Sequence, residues 1–386
     1  MLQAVTRMQS LSAKHPLQKW LTNALRLRTA RIKYRSNLEN VLHQFPYMSE
    51  KIETIETYIR PPWWVPKVEI QVDDTKDNAE SIHEGLQEHI DGHTVVMYTD
   101  GSGIESKVGA AAYSPTFNQI SHQHLGSENQ YNVFAAELVV MQLATDMLRD
   151  DCHKYHTYRI YSDSQAAIKA IAKPRRQSGQ AIIKEILDSI DDIMHKHPQL
   201  QITIVWIPGH REIEGNERAD QEAKKAVTDT SLSGPFKHKA LKSARARNIK
   251  VAAKTLWQKQ WSEGTKTATT LRRIMKRRDV RAGVKLYNML PNRRTVATLV
   301  RLRTGHCGLK HYLHRFNIEK SPFCECGQGK ETVEHYLLEC RKHTAQRKKL
   351  RKEVGAGRMK VYKLLGDPKI IKYTMEYVAT TKGADI

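Results

Sequence analysis

With 386 residues and 40% hydrophobic content, the chain has room for two or three packed domains and is not a disordered polymer. Its net charge of +22 is unevenly spread: residues 230–386 hold 37 lysines and arginines against 11 acids, whereas residues 61–229 carry an acidic surplus. No apolar run approaches the roughly 18 residues of a membrane span, the N-terminus lacks a secretory core, and five cysteines are too few and too clustered for a disulfide scaffold.

The expectation is therefore a soluble intracellular protein with no membrane partner, in nucleus or cytoplasm; runs such as RRIMKRR fit either a nuclear import signal or a phosphate-binding helix. The basic tail calls for a polyanion, and an acidic middle would repel one unless cations mediate, so metal-dependent chemistry on nucleic acid is expected.

In chain order, residues 1–60 read as helices, since LQKWLTNALRLRTARI and IETIETYI place apolar residues at helical spacing. RPPWWVP, from Arg60 to Pro66, stops any helix, and Trp63 and Trp64 are expected to anchor a linker on a neighbouring domain. Residues 61–90, acidic around Asp73 and Asp74, are read as that linker. From His93 the pattern changes. HTVVMYTD, VGAAAYSP and NQISHQHL predict a three-stranded meander; VFAAELVVMQLATDMLRD predicts a long helix, and TYRIYSD and QITIVWIPGH two further strands. SQAAIKAIA, SGQAIIKEILDSIDDIMHKH and NERADQEAKKAV fill the intervals as helices. The result is an α/β domain over residues 91–229, a five-stranded mixed sheet with flanking helices. Residues 230–386 are read as mostly helical and basic.

Four acids fall at informative places in this pattern. Asp100 is expected to end the first strand, Glu137 to lie in the first turns of the long helix, Asp163 to end the fourth strand and Asp220 to open the last helix. Carboxylates brought within a few ångström raise one another's pKa, and magnesium, a hard cation completed by substrate phosphates, resolves that repulsion. A pair of such ions suits in-line phosphodiester displacement.

TDGS, AAEL, SDS and GNERAD occur in that order, and over residues 91–229 the sequence resembles type I ribonuclease H. The resemblance implies hydrolysis of the RNA strand of an RNA–DNA hybrid, giving 3′-hydroxyl and 5′-phosphate ends, with two Mg2+ or Mn2+ ions on Asp100, Glu137, Asp163 and Asp220. It implies that His210 assists proton transfer or product release, a role suited to histidine. Ser164, Gln165 and Asn216 match positions that contact substrate, and the backbone at Gly101 and Ser102 is expected to approach the RNA strand where no Cβ intervenes. Reading of 2′-hydroxyls follows from the same resemblance. The segment KPRRQSG, with Lys173, Arg175 and Arg176, is shorter than the basic handle of some bacterial relatives.

Cys324, Cys326, His335 and Cys340 form C-x-C-x8-H-x4-C, a spacing that suits a tetrahedral Cys3His zinc site, a small zinc-knuckle-like cluster. Cys307, His306, His311 and His314 are competing ligands, and Cys152 is read as core. RPPWW ahead of the domain and ETVEHYLLEC after it resemble the C-terminal part of a LINE-type (non-LTR) retrotransposon polyprotein, of the kind common in fungi. This implies a reverse transcriptase module as partner and a chain that is a piece of something longer. Two further readings stand beside it: a transposase or integrase with a related sheet, and an inactive nucleic-acid-binding remnant whose basic tail acts alone, with salt-sensitive binding.

Overall fold

The computed structural model describes residues 2–27, 30, 34–73, 75–151, 155–209, 211–263, 269–275 and 280–382. Two compact units emerge, Met1–Val251 and Ala252–Ile386. The first opens with α1 (Leu2–Gln9), α2 (Pro16–Leu27) and α3 (Asn37–Gln44), followed by β1 (Glu69–Gln71) and α4 (Lys76–Glu88). Then come β2 (Thr94–Ile104), β3 (Lys107–Ser114), β4 (Gln119–Ser127), α5 (Val133–Asp151), β5 (Thr157–Ser162), α6 (Gln165–Ala172), α7 (Gln180–Lys196), β6 (Gln201–Trp206), α8 (Glu214–Thr228) and α9 (Lys242–Glu263).

The mixed sheet with helices on both faces is as expected, but it has six strands in the order β1-β6-β5-β2-β3-β4. The extra strand corrects the reading of residues 61–90 as a linker, because Glu69–Gln71 pairs in parallel with Thr203–Val205 at the sheet edge. Asp74 lies outside the described residues. Trp64 packs against the main core while Trp63 stays exposed.

Side-chain alternation along β2 divides the core in two. Val95 and Met97 face α5, α6 and α7, joining Ile160, Ile168, Ile183 and Leu187. Val96 and Tyr98 face the other way, with Tyr161, Val205 and Ala219 of α8. Here α4 completes the cover: His83 Nε2 lies 3.0 Å from the Tyr98 hydroxyl, and Gln87 Nε2 donates to the hydroxyls of Tyr98 and Tyr161 at 3.2 and 3.3 Å.

The N-terminal segment is part of this unit, not a separate domain. Glu53, 4% exposed, accepts backbone N–H groups from Gly179 at 2.8 Å and Lys242 at 2.7 Å and a bond from the Ser178 hydroxyl. Burial pushes its carboxyl pKa up, against the pull of those donors. Glu56 N–H donates to Gln180 Oε1 at 2.7 Å. The compact unit accordingly runs to residue 251.

The second unit holds α10 (Thr269–Ile274), α11 (Val280–Asn288), α12 (Arg293–Thr304), α13 (Lys310–His314), α14 (Thr344–Val354), α15 (Val361–Leu364) and α16 (Ile371–Thr381). Its own core gathers Leu299, Leu302, Tyr336, Leu337, Leu364 and Ile371. Lys348, Lys349, Arg351 and Lys352 on α14 are exposed, a solvated basic face. No helix among the described residues is long and apolar enough to cross a membrane.

Candidate active site

Asp100 and Asp163 meet because their strands are neighbours. β2 and β5 pair in parallel from Thr94 opposite Thr157 to Thr99 opposite Ser162, and the Thr99 hydroxyl donates to the Tyr161 carbonyl at 2.9 Å. Asp163 is the residue after β5. Asp100, by contrast, does not end its strand: pairing with β3 continues through Asp100–Ala111 and Ser102–Gly109 to the turn at Glu105 and Ser106. Both turn residues have positive φ, 49° and 64°.

Glu137 reaches the same place from a helix on the opposite face. Alternation puts Asp100 on the side of Val96 and Tyr98, and only the missing Cβ at Gly101 lets α5 close onto β2: a Cβ there would lie 2.8 Å from Ala136 Cβ and 2.9 Å from Glu137 N. Real Cβ atoms do not come so near. The close approach that Gly101 permits is thus to α5, and Gly101 itself is buried. Gly101→Ala is expected to cost about 1–3 kcal/mol by overpacking, lowering the melting temperature of this unit by several degrees in a calorimetric scan.

Together, Asp100, Glu137 and Asp163 present carboxylate oxygens all within 4.8 Å of one another. Burial first, and then the charges of Asp163 and Asp220, push the Asp100 carboxyl up to about 7. Burial, with Asp100 and Asp163 alongside, holds Glu137 well above the usual carboxylate range. Glu137 Oε2 is buried with no hydrogen-bond partner. An orphaned buried oxygen among mutually repelling carboxylates is what a hard cation satisfies, and the donor set fits magnesium or manganese.

Asp220 sits near this trio but outside the 4.8 Å group. It is the seventh residue of α8, not its first, and accepts a bond from Lys224 Nζ at 2.5 Å. Ser164 caps α6, its hydroxyl oxygen accepting the Ala167 N–H at 3.4 Å. Gln165 Nε2 donates to the Asp73 carbonyl at 3.3 Å and its Oε1 accepts from Lys169 at 2.8 Å. Asn216 is buried in the first turn of α8, its Oδ1 without a partner. Ser102 is half-buried on β2. His210 lies outside the described residues, as does Cys152.

Two supporting residues escaped the sequence reading. Trp206 Nε1 donates to the Asp163 carbonyl at 3.0 Å, fixing the backbone that aims the carboxylate. Gly209 leaves room beside it, since a Cβ there would stand 2.7 Å from Asp163 Oδ2. Their signal was the run WIPG, which was read only as a strand end.

In the second unit, the ligand atoms of Cys324, Cys326, His335 and Cys340 also lie within 4.8 Å of one another. Cys324 Sγ is 3.7 Å from Cys340 Sγ, and Cys326 Sγ 3.2 Å from His335 Nε2. Zinc–thiolate bonds of about 2.3 Å in a tetrahedron imply sulfur separations of about 3.8 Å. The competitors are placed elsewhere: Cys307 is in the apolar core, its thiol pushed up to about 11 by burial, and His314 Nδ1 lies 3.0 Å from the Glu319 carbonyl.

Residues 92–228 match the model of the RNase H family. Among individual proteins, the chain is similar to a Retrovirus-related Pol polyprotein from type-1 retrotransposable element R1 2 of Nasonia vitripennis, 32% identical over 85 residues. That alignment covers 22% of this chain and 19% of the relative, so the chain spans about a fifth of the relative's length. Among solved structures it is similar to RNase H1 from the halophilic archaeon Halobacterium salinarum NRC-1, at 16% identity and a TM-score of 0.27, over 34% of this chain and 96% of that one. It is similar also to LC11-RNase H1 in complex with an RNA/DNA hybrid, at 21% identity and a TM-score of 0.28, over 36% of this chain and 99% of that one.

Proposed function

We propose that residues 92–228 hydrolyse the RNA strand of an RNA–DNA hybrid, leaving 3′-hydroxyl and 5′-phosphate ends, and that the chain serves reverse transcription of a LINE-type element beside a reverse transcriptase module. The observation that carries this reading is the carboxylate trio, with Glu137 Oε2 buried and unpartnered. Asp100, Glu137, Asp163 and the adjoining Asp220 would hold one or two magnesium or manganese ions, which supply the positive charge that phosphodiester hydrolysis demands.

The chain's own groups do the rest. Asp100 and Asp163, held by paired strands, need no reorganisation to present their charge. Lys224 anchors Asp220 from one turn further along α8. The Ser164 oxygen accepts a backbone N–H, which leaves its O–H free to donate to a sugar hydroxyl. Asn216 Oδ1, buried and unpartnered, suits a 2′-hydroxyl donor, the group that distinguishes RNA from DNA. His210 would assist proton transfer or product release. Cys324, Cys326, His335 and Cys340 would hold one zinc ion of structural kind, all ligand positions being filled by protein.

The test is incubation of the full chain with a labelled RNA–DNA hybrid and magnesium, alongside RNA–RNA and DNA–DNA duplexes. Cleavage confined to the hybrid's RNA strand is the expected result. Strand joining on DNA alone would favour a transposase, and binding without turnover a remnant.

A further inference from the structure

The second unit contains a cavity of about 910 Å3 that the carboxylate chemistry does not use. Its size is near the upper end of ordinary ligand sites, roughly 300–1,000 Å3. Its lining is unusual in combining exposed rings with unpaired cations. His306 and Tyr312 in the lining stack with centroids 5.2 Å apart and planes at 28°, and Phe316, outside the lining itself, continues the row 5.1 Å from Tyr312. Phe316 is 57% exposed and Tyr362, also in the cavity's lining, 43%.

Arg273, Arg315 and Lys360 line the same cavity, and among the described residues none has an acidic partner. The acids present weigh little against them. Glu331 is buried and bound to Lys382 at 2.8 Å and to the Lys310 N–H at 2.8 Å, leaving Glu334 as the exposed counter-charge. A core-filling role does not account for such rings, because an aromatic row meant for packing would be covered.

We propose that this cavity binds single-stranded nucleic acid, bases stacking on His306, Tyr312 and Tyr362 and, where the strand leaves the cavity, on the adjoining Phe316, phosphates held by Arg273, Arg315 and Lys360. Unpaired bases expose the faces that rings recognise, whereas a duplex hides them. The site is independent of the carboxylate trio, and its binding is measured without turnover.

The experiment is fluorescence anisotropy of the full, zinc-replete chain with labelled 12-nucleotide single-stranded RNA, single-stranded DNA and duplex DNA, without magnesium. Phe316→Ala and Tyr362→Ala are expected to weaken binding of RNA, DNA or both single strands about tenfold, the loss of one stacked base. Duplex affinity and the dependence on salt should stay put, since no phosphate contact is removed. Phe316→Trp should bind like the wild type. Whichever strand type loses affinity identifies the ligand. Unchanged single-strand affinity in both alanine variants would overturn the proposal, as would an equal loss for single strands and duplex, which would reduce the site to a charged surface. Both positions are exposed, so a circular dichroism spectrum matching the wild type is expected.

Discussion

Asp163→Asn is expected to reduce hybrid cleavage at saturating magnesium by roughly a thousandfold or more, about 4 kcal/mol of transition-state stabilisation, while making the metal-free protein more stable. The two effects have one cause. Asp163 helps raise the carboxyls of both Asp100 and Glu137, so without a cation its charge is a cost to the fold. Removing it relieves on the order of 1 kcal/mol, a rise of about 2–4 °C for a unit of this size. Added magnesium should stabilise the wild type and leave the variant nearly unmoved, because ligand bound only to the native state adds stability. Calorimetry with and without magnesium, beside a single-turnover cleavage assay, measures both halves. A variant that cuts like the wild type would remove Asp163 from the chemistry.

Cys340→Ser, or prolonged chelation, is expected to unfold the second unit and spare the sheet. Structural zinc contributes about 10–16 kcal/mol in small zinc-binding peptides, comparable to or larger than the roughly 5–15 kcal/mol by which whole domains are stable. Cys324 and Cys340 are both buried, so the loss of one ligand also leaves a polar group in the core. The measurement is metal content together with helical circular dichroism: one zinc per chain in the wild type, less than one in the variant, and partial loss of helix signal. Hybrid cleavage should survive, since the carboxylates belong to the other unit. A variant with unaltered melting would sink the zinc assignment.

What was legible in the sequence was the chemistry that sits beside strong periodicity. Asp163 follows an apolar strand, and Glu137 an alanine pair that opens an amphipathic helix, so their placement could be read directly. Asp100 was harder to place because β2 continues through Asp-Gly-Ser-Gly, a composition that looks like a loop yet pairs residue by residue with β3. β1 was missed because Glu-Ile-Gln, a three-residue edge strand, carries almost no apolar signal. α4 was missed for a different reason. The side chains it turns toward the sheet include His83 and Gln87, which bury against tyrosine hydroxyls, so a docking surface reads as a solvated one.

Glu53 has a consequence for anyone who would excise the stretch that matches the family. Its carboxylate closes a bracket around the start of α7 and the start of α9, satisfying N–H groups that lie 126 and 189 residues further along the chain. A fragment trimmed to the boundaries of the family match, residues 92–228, would leave Ser178 and Gly179 without this acceptor and would lack Lys242 as well. What precedes the family match in the sequence is thus part of the fold of the unit that holds the carboxylates.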